Sequence, residues 1–336
     1  MGARRGAAAA AAVLVGALAL AGCGGSSSSP SSSSSEGAGD GGVPSPSGEP
    51  DPSPYPTQAT PSPTDGDRAG EPGEGAQDLA EQAEGLAEES RIAPRSGNVL
   101  GSDISWPQCP VGMGIPEKRT LGMPGPLPAA EYVVVGLTNG PGFTPNPCLA
   151  DQVADTRRSG KLISAYSVAS YPDAAQVAEH GDDGPYDGST PAGALRNTGY
   201  QQALYNVASM DATGFETPFV WIDVEPVPDF EWSSDLAANA EVVRGIARGY
   251  TDSGYGIGVY STPALWAGVV GTFELGVPEW RAAGETSAAE ALSRCGDDWV
   301  IQGGDAVMGQ WVEASRDQNL TCDGAARDLD LYFHQY

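Results

Sequence analysis

Basic side chains are scarce in this sequence: 17 Lys and Arg stand against 44 Asp and Glu over 336 residues, a formal net charge of −27. A surface of that sign offers no counter-charge to phosphate, which argues against nucleic acid or an anionic membrane face as a binding partner. It suits a neutral polysaccharide, a cationic partner or a bound cation. Histidine is nearly absent. His180 lies in a polar Gly/Asp-rich stretch and His334 lies near the C-terminus, neither beside a nucleophile, so a Ser-His-Asp arrangement is not expected. The five Cys include no Cys-x-x-Cys pair, which disfavours a zinc site. No phosphate-cradling Gly-Lys-Ser/Thr loop is present, and no dinucleotide fingerprint follows a strand. No cofactor and no metal are therefore expected. The apolar run over 7–20 is too short for a good membrane-spanning helix.

That run reads instead as part of an export signal. Arg4 and Arg5 precede it, and Leu20-Ala21-Gly22-Cys23 follows. A basic start, a short apolar stretch and small residues at the cut predict a signal peptide over 1–22. A Cys directly after Leu-Ala-Gly resembles the bacterial lipoprotein lipobox, which implies that Cys23 is lipidated and becomes the N-terminus. Residues 23–95 are rich in Ser, Pro, Gly, Asp and Glu. Such a segment buries too little apolar surface to offset its chain entropy, so a disordered tether is expected, spanning ~45 Å as a flexible coil. Within it, 77–91 places Leu79, Ala83 and Leu86 at helical spacing, one helix too short to be stable alone. The expected location is the outer face of the cell membrane, lipid-anchored and reaching into the wall.

Residues 96–336 hold all seven Trp and both His and carry a net charge of about −19. Their length suits one α/β barrel or two small domains. Short β-rich runs recur over 99–105, 132–138, 162–168, 219–225, 256–261, 278–283, 307–312 and 328–334. Helical patterns over 193–211 and 236–250 lie between them, the second capped by Ser233 or Ser234. This alternation predicts a parallel sheet with helices outside, closed as a single TIM-type α/β barrel whose last strands have poor helical connections. With Cys23 assigned to lipid, four Cys allow three connectivities. In a barrel the loops after the first two strands lie side by side, which favours Cys109–Cys148 and leaves Cys295–Cys322.

The sharpest chemical signal is Phe219-Val220-Trp221-Ile222-Asp223-Val224-Glu225-Pro226. Side chains alternate along a strand, so Trp221, Asp223 and Glu225 share one face and Val220, Ile222 and Val224 the other. With the apolar face toward outer helices, the acids point into the barrel at its C-terminal mouth, where barrel enzymes do their chemistry. Asp103 sits at the end of the first strand. In the expected last strand, Asp328, Asp330 and Tyr332 share a face opposite Leu329 and Leu331. Carboxylates meeting in one mouth repel each other, which holds one of them protonated near neutral pH. That proton is what a glycosidic oxygen needs in order to leave. The same acids also suit Ca²⁺, and Asp328 also has Arg327 and Arg281 as possible partners.

Together these pieces resemble glycoside hydrolase family 25, the barrel muramidases, and more closely a divergent set of such domains in actinobacterial secreted proteins. The similarity covers most of 99–336. Gly101-x-Asp103-x-Ser105-x-x-Gln108 looks like the family's opening strand, 132–140 its second, Trp221 to Glu225 its Asp-x-Glu strand, and Val259-Tyr260-Ser261-Thr262 with Trp266 its Tyr-Thr/Ser turn. Residues 278–282, Gln310-Trp311 and Asp328-Leu329-Asp330 look like its last three strands. The resemblance implies five βα units followed by three strands with few helices. It implies a general acid at Glu225, with Asp223 assisting the substrate's acetamido group or the developing cation. Asp103 and Asp328 complete the acidic mouth. Trp106, Trp266, Trp280 and Trp311 are expected stacking surfaces, and Gln108, Tyr166, Trp221, Tyr260, Gln310 and Asp330 the rest of the substrate lining. The chain departs from the family where Gly136 and Asn139 replace a Lys and a Glu, and where Tyr166-Ser167-Val168 replaces Tyr-His-Phe.

The expected function is a cell-surface glycoside hydrolase cleaving a β-1,4 bond of cell-wall glycan, monomeric and bound to the membrane through Cys23. The alternatives are a non-catalytic glycan-binding or wall-sensing lipoprotein on the same barrel, and a metal-dependent hydrolase or structural protein using the mouth for a cation.

Overall fold

Eight short runs pair edge to edge and close on themselves. They are β1 (Leu100–Ile104), β2 (Tyr132–Gly136), β3 (Leu162–Val168), β4 (Phe219–Asp223), β5 (Gly256–Ser261), β6 (Glu279–Glu285), β7 (Ala306–Glu313) and β8 (Arg316–Thr321). The computed structural model describes residues 92–336. The predicted signal, lipidated Cys23, the short helix over 77–91 and the tether as far as residue 91 fall outside the described residues, whereas residues 92–95 at the end of the expected tether are described and Ile92 is buried in the core. Strand order around the closed barrel is the chain order, β1 to β8. β1 to β7 run parallel, and β8 runs antiparallel to both its neighbours, β7 and β1.

Alternation along each strand divides the apolar residues into two cores. Val220, Ile222 and Val224 are fully buried between barrel and helices, together with Val133, Val135, Ile163 and Val259. Each such side chain stabilises the fold by about 1.5–3 kcal/mol relative to exposure. Tyr132, Phe219, Trp221, Trp280 and Met308 fill the barrel interior instead. Such large rings fit because facing positions are glycine. A Cβ on Gly101 would lie 2.1 Å from the Tyr132 ring, and one on Gly258 2.4 Å from Trp221.

The helices are α1 (Leu149–Arg158), α2 (Ala174–His180), α3 (Pro191–Thr213), α4 (Leu236–Asp252), α5 (Pro263–Val270) and α6 (Ala288–Ser293). Thr190 caps α3 by accepting from Gly193 N, and Gly214 ends it at φ 62°. α4 is capped by Asp235, which accepts from Ala237 N and Ala238 N, rather than by Ser233 or Ser234. Among the described residues no α-helix follows β1. That connection is tied down by the Cys109–Cys148 disulfide, and Cys295–Cys322 forms the second bridge, both as expected.

The expected last strand over 328–334 is not a strand. Residues Leu329–Leu331 form a 3-10 turn in which Leu331 is exposed and Leu329 buried. Leu329, Phe333 and Ile92 belong to the interior core, and Phe333 packs on the Tyr132 ring at 4.6 Å. The eighth strand is Arg316–Thr321, joined to β7 through Ala314 and Ser315 at φ 52° and 57°. Two successive left-handed residues are what a tight hairpin needs to match strand twist.

Candidate active site

The C-terminal ends of the parallel strands and the start of β8 bring the chemistry to one mouth. Asp103 ends β1 facing inward and is buried. Asp317 lies directly opposite it on β8. In such a pair the Cβ atoms stand about 5 Å apart. Asp223 ends β4, three strands from β1 around the barrel, and is also buried. Glu225 follows in the bend beyond β4, partly exposed, its carbonyl fixed by the Trp232 indole N–H at 2.9 Å.

These four carboxyls are all shifted upward. Burial pushes Glu225 to about 7, with the Asp317 charge adding to it. Burial raises Asp223 well above the usual carboxylate range, with Glu225 and Asp103 contributing. One Asp223 oxygen, Oδ1, has no hydrogen-bond partner. Burial lifts Asp317 to about 6. Burial and the Asp317 charge hold Asp103 well above the usual carboxylate range despite amide donors from Asn319 and Gln310.

Below the carboxyls lies an aromatic floor. The Trp280 ring sits 4.4 Å from Tyr260, 5.7 Å from Tyr166 and 6.2 Å from Trp221. Burial holds the Tyr166 and Tyr260 hydroxyls protonated. Tyr260 Oη donates to Gln310 Oε1 at 2.8 Å, and Trp280 Nε1 donates to Asn319 Oδ1 at 2.7 Å.

The expected site residues therefore separate. Asp103, Asp223, Glu225, Tyr166, Tyr260, Trp280 and Gln310 converge at or under the mouth. Trp106 stands half-buried in the 3-10 turn after β1, at the same end. Trp221 is completely buried in the interior and offers no stacking face. Trp266 is buried under α5, its ring stacked on Phe273 and its N–H bound to the Phe273 carbonyl, outside the barrel. Trp311 is buried on the face of β7 opposite Gln310, bonded to Glu313. Gln108 accepts from Ser105 N as a turn cap and faces Ile104 and Gln152. Asp328 and Asp330 are exposed on the 3-10 turns beyond β8. Asp328 lines a groove with Asn98, Asp305 and Cys322, at the opposite end of the barrel from Asp103. Asn139, in place of the family's Glu, is a loop staple: it accepts from Ile115 N and donates to the Lys118 carbonyl.

Asp317 and Asn319 are site residues that the sequence reading missed. Their signal is the alternation Asp317-x-Asn319 two residues after a turn, with one strand face polar and turned inward. Among the described residues, no three His, Cys, Asp or Glu side chains are grouped to hold a metal ion.

No protein-family model and no curated protein matches the sequence. Solved structures are similar at low identity. A bacterial lysozyme from Streptomyces coelicolor is 15% identical at a TM-score of 0.45, over 71% of this chain and 98% of that one. A muramidase from Acremonium alcalophilum is 17% identical at 0.44, over 69% and 99%. The modular autolysin LytC from Streptococcus pneumoniae is 14% identical at 0.41, over 66% of this chain and 46% of that one. This chain thus spans less than half of LytC.

Proposed function

We propose that this protein is a glycoside hydrolase acting on cell-wall glycan, cleaving a β-1,4 bond next to an N-acetylated sugar. The observation that carries the reading is Glu225. Its carboxyl is held at about 7 at the rim of a mouth that contains three further carboxyls. A group poised there is partly protonated at neutral pH and is matched to donate to a departing glycosidic oxygen. Asp223, on the same strand face, is placed to orient the substrate's acetamido group or to steady the developing cation. Its Oδ1 is buried and has no hydrogen-bond partner. Asp103 completes the acidic mouth, and Asp317, ionised above about 6, supplies negative charge of the kind an oxocarbenium-like transition state favours. Trp106, Tyr166 and Tyr260 form the sugar-facing surface. The signal over 1–22, the lipidated Cys23 and the tether over 23–95 belong to the same reading: a monomer anchored at the outer membrane face whose substrate is the wall above it.

The test is release of reducing ends from purified peptidoglycan by the full-length chain and by Glu225→Gln. Release by the wild type alone supports the proposal. Release by both removes Glu225 as the acid. Saturable wall binding with no new reducing ends favours the non-catalytic binding module.

A further inference from the structure

Burial and the Asp317 charge act on the Glu225 carboxyl, and among the described residues no side chain is hydrogen-bonded to it. Its place is therefore set through its main chain. The β4 ladder runs out just before it. Ala169 N donates to the Asp223 carbonyl at 2.8 Å, and Val224 N donates to the Tyr260 carbonyl at 3.1 Å. Side chains take the next two carbonyls. Ser261 Oγ donates to Val224 O at 2.6 Å, and Trp232 Nε1 donates to Glu225 O at 2.9 Å. Each bond has one possible direction, because a carbonyl only accepts and an indole nitrogen only donates. Pro226 adds to this by disfavouring helical backbone at Glu225. The Trp232 bond closes a loop over 225–232. At its tip Phe230 N donates to Val227 O, with Pro228 and Asp229 between them and Asp229 at φ 73°, as a type II turn requires. Trp232 is braced in turn. Its ring packs on the core between barrel and helices, and the carbonyl of the next residue, Ser233, accepts from Asn239 Nδ2 of α4 at 2.8 Å. The same amide donates to Val269 O of α5 at 2.8 Å.

We infer that Trp232 and Ser261 are positioning residues that hold the Glu225 carboxyl in the mouth by clasping the two carbonyls at the end of its strand. Both act through the main chain of Glu225 rather than on substrate. They refer its position to β5, α4 and α5, elements that carry no other part of the acid. Releasing either carbonyl lets the bend move outward and lets water reach the carboxyl. Desolvation is the first cause of the upward shift of Glu225, so a carboxyl freed in this way ionises at lower pH. The catalytic meaning of the clasp rests on the glycosidase reading; its hold on the carboxyl does not.

The experiment is a carboxyl-carbon NMR titration of the full-length chain carrying ¹³C-labelled Glu side chains, with Glu225→Gln assigning the signal. Trp232→Phe keeps an aromatic ring and removes the N–H. Ser261→Ala removes the hydroxyl, and it carries the test alone if Trp232→Phe does not fold. Each variant is expected to lower the Glu225 midpoint from about 7 by about one unit. On peptidoglycan, kcat is expected to fall by about 10–100-fold with KM within about two-fold, and the alkaline limb of the pH profile to move down with the midpoint. A merely structural role would lower stability and leave midpoint and limb in place. A midpoint that stays at about 7 in either folded variant would overturn the inference. If the wild type cleaves no glycan, the glycosidase reading fails and the midpoints alone decide whether the clasp holds the carboxyl.

Discussion

Asp103 and Asp317 face each other in register across the antiparallel pair β1–β8, at the mouth where the parallel strands end. Glu225, the proposed acid, thereby feels a residue of another strand. Asp317 contributes to the upward shift of Glu225. Asp317→Asn removes that contribution, so Glu225 should release its proton at lower pH. The alkaline limb of kcat/KM against pH is expected to move down from about 7. An unmoved limb in a folded variant would show that the two groups do not communicate.

Glu225 also costs stability. A Glu carboxyl ionises at 4.5 when unperturbed and at about 7 here. Between those values the folded state keeps a proton that the unfolded state has released, so stability falls as pH rises through that window and is fully retained below it. A shift of this size corresponds to about 3 kcal/mol. Glu225→Gln is therefore expected to be more stable than the wild type at pH 8 and equal to it at pH 4, by denaturant melts at both. Its cleavage rate should fall by about 10²–10⁴-fold. Equal stability at both pH values would mean that the carboxyl is not desolvated.

Gly101 and Tyr132 test the interior packing. A Cβ on Gly101 meets the buried Tyr132 ring at 2.1 Å, and that ring is backed by Phe333 at 4.6 Å. Gly101→Ala is expected to cost about 1–3 kcal/mol through overpacking. Gly125→Ala, with nothing within 4 Å of its Cβ, should change stability by less than about 0.5 kcal/mol. Matching melting temperatures for the two variants would contradict the packing argument.

Much of the barrel was legible because its parallel strands are buried on both faces and read as apolar, β-branched runs, as in Tyr132-Val133-Val134-Val135. Asp223 and Glu225 were legible because period-two alternation puts them opposite Val220, Ile222 and Val224. β8 was not. Arg316-Asp317-Gln318-Asn319-Leu320-Thr321 holds one large apolar residue, and its inward Asn319 bonds to Asp103 and Trp280 instead of packing. Its turn, Ala314-Ser315, carries no Gly or Asn to mark it. The competing run over 328–334 has a convincing alternation of Asp and Leu, but Leu329 and Phe333 join the interior core while Leu331 stays in water. The tryptophans misled for a related reason. Trp266 and Trp311 satisfy their N–H groups locally and are buried outside the mouth, which alternation alone does not distinguish from a sugar platform.

Glu279 and Arg281 supply the last test, where a short helix leaves the β6–β7 connection in need of support. Both side chains are buried on the face of β6 opposite Trp280, the Arg281 Nη2 to Glu279 Oε2 distance being 2.7 Å. The pair also organises the loop. Glu279 accepts from Ile301 N, Gln302 N and Gly304 N, and Arg281 Nη1 donates to the carbonyls of Arg294 and Gly296. Arg281→Met leaves a buried carboxylate without its cation and is expected to cost about 3–5 kcal/mol. For an isolated buried pair, replacing both partners by apolar residues would recover that loss. Here three backbone N–H groups would still lose their acceptor, each costing about 1–3 kcal/mol when left unpaired. Glu279→Leu with Arg281→Met is therefore expected to be no more stable than Arg281→Met alone in denaturant unfolding. Recovery in the double variant would show that the loop holds itself and that the pair is only an ion pair.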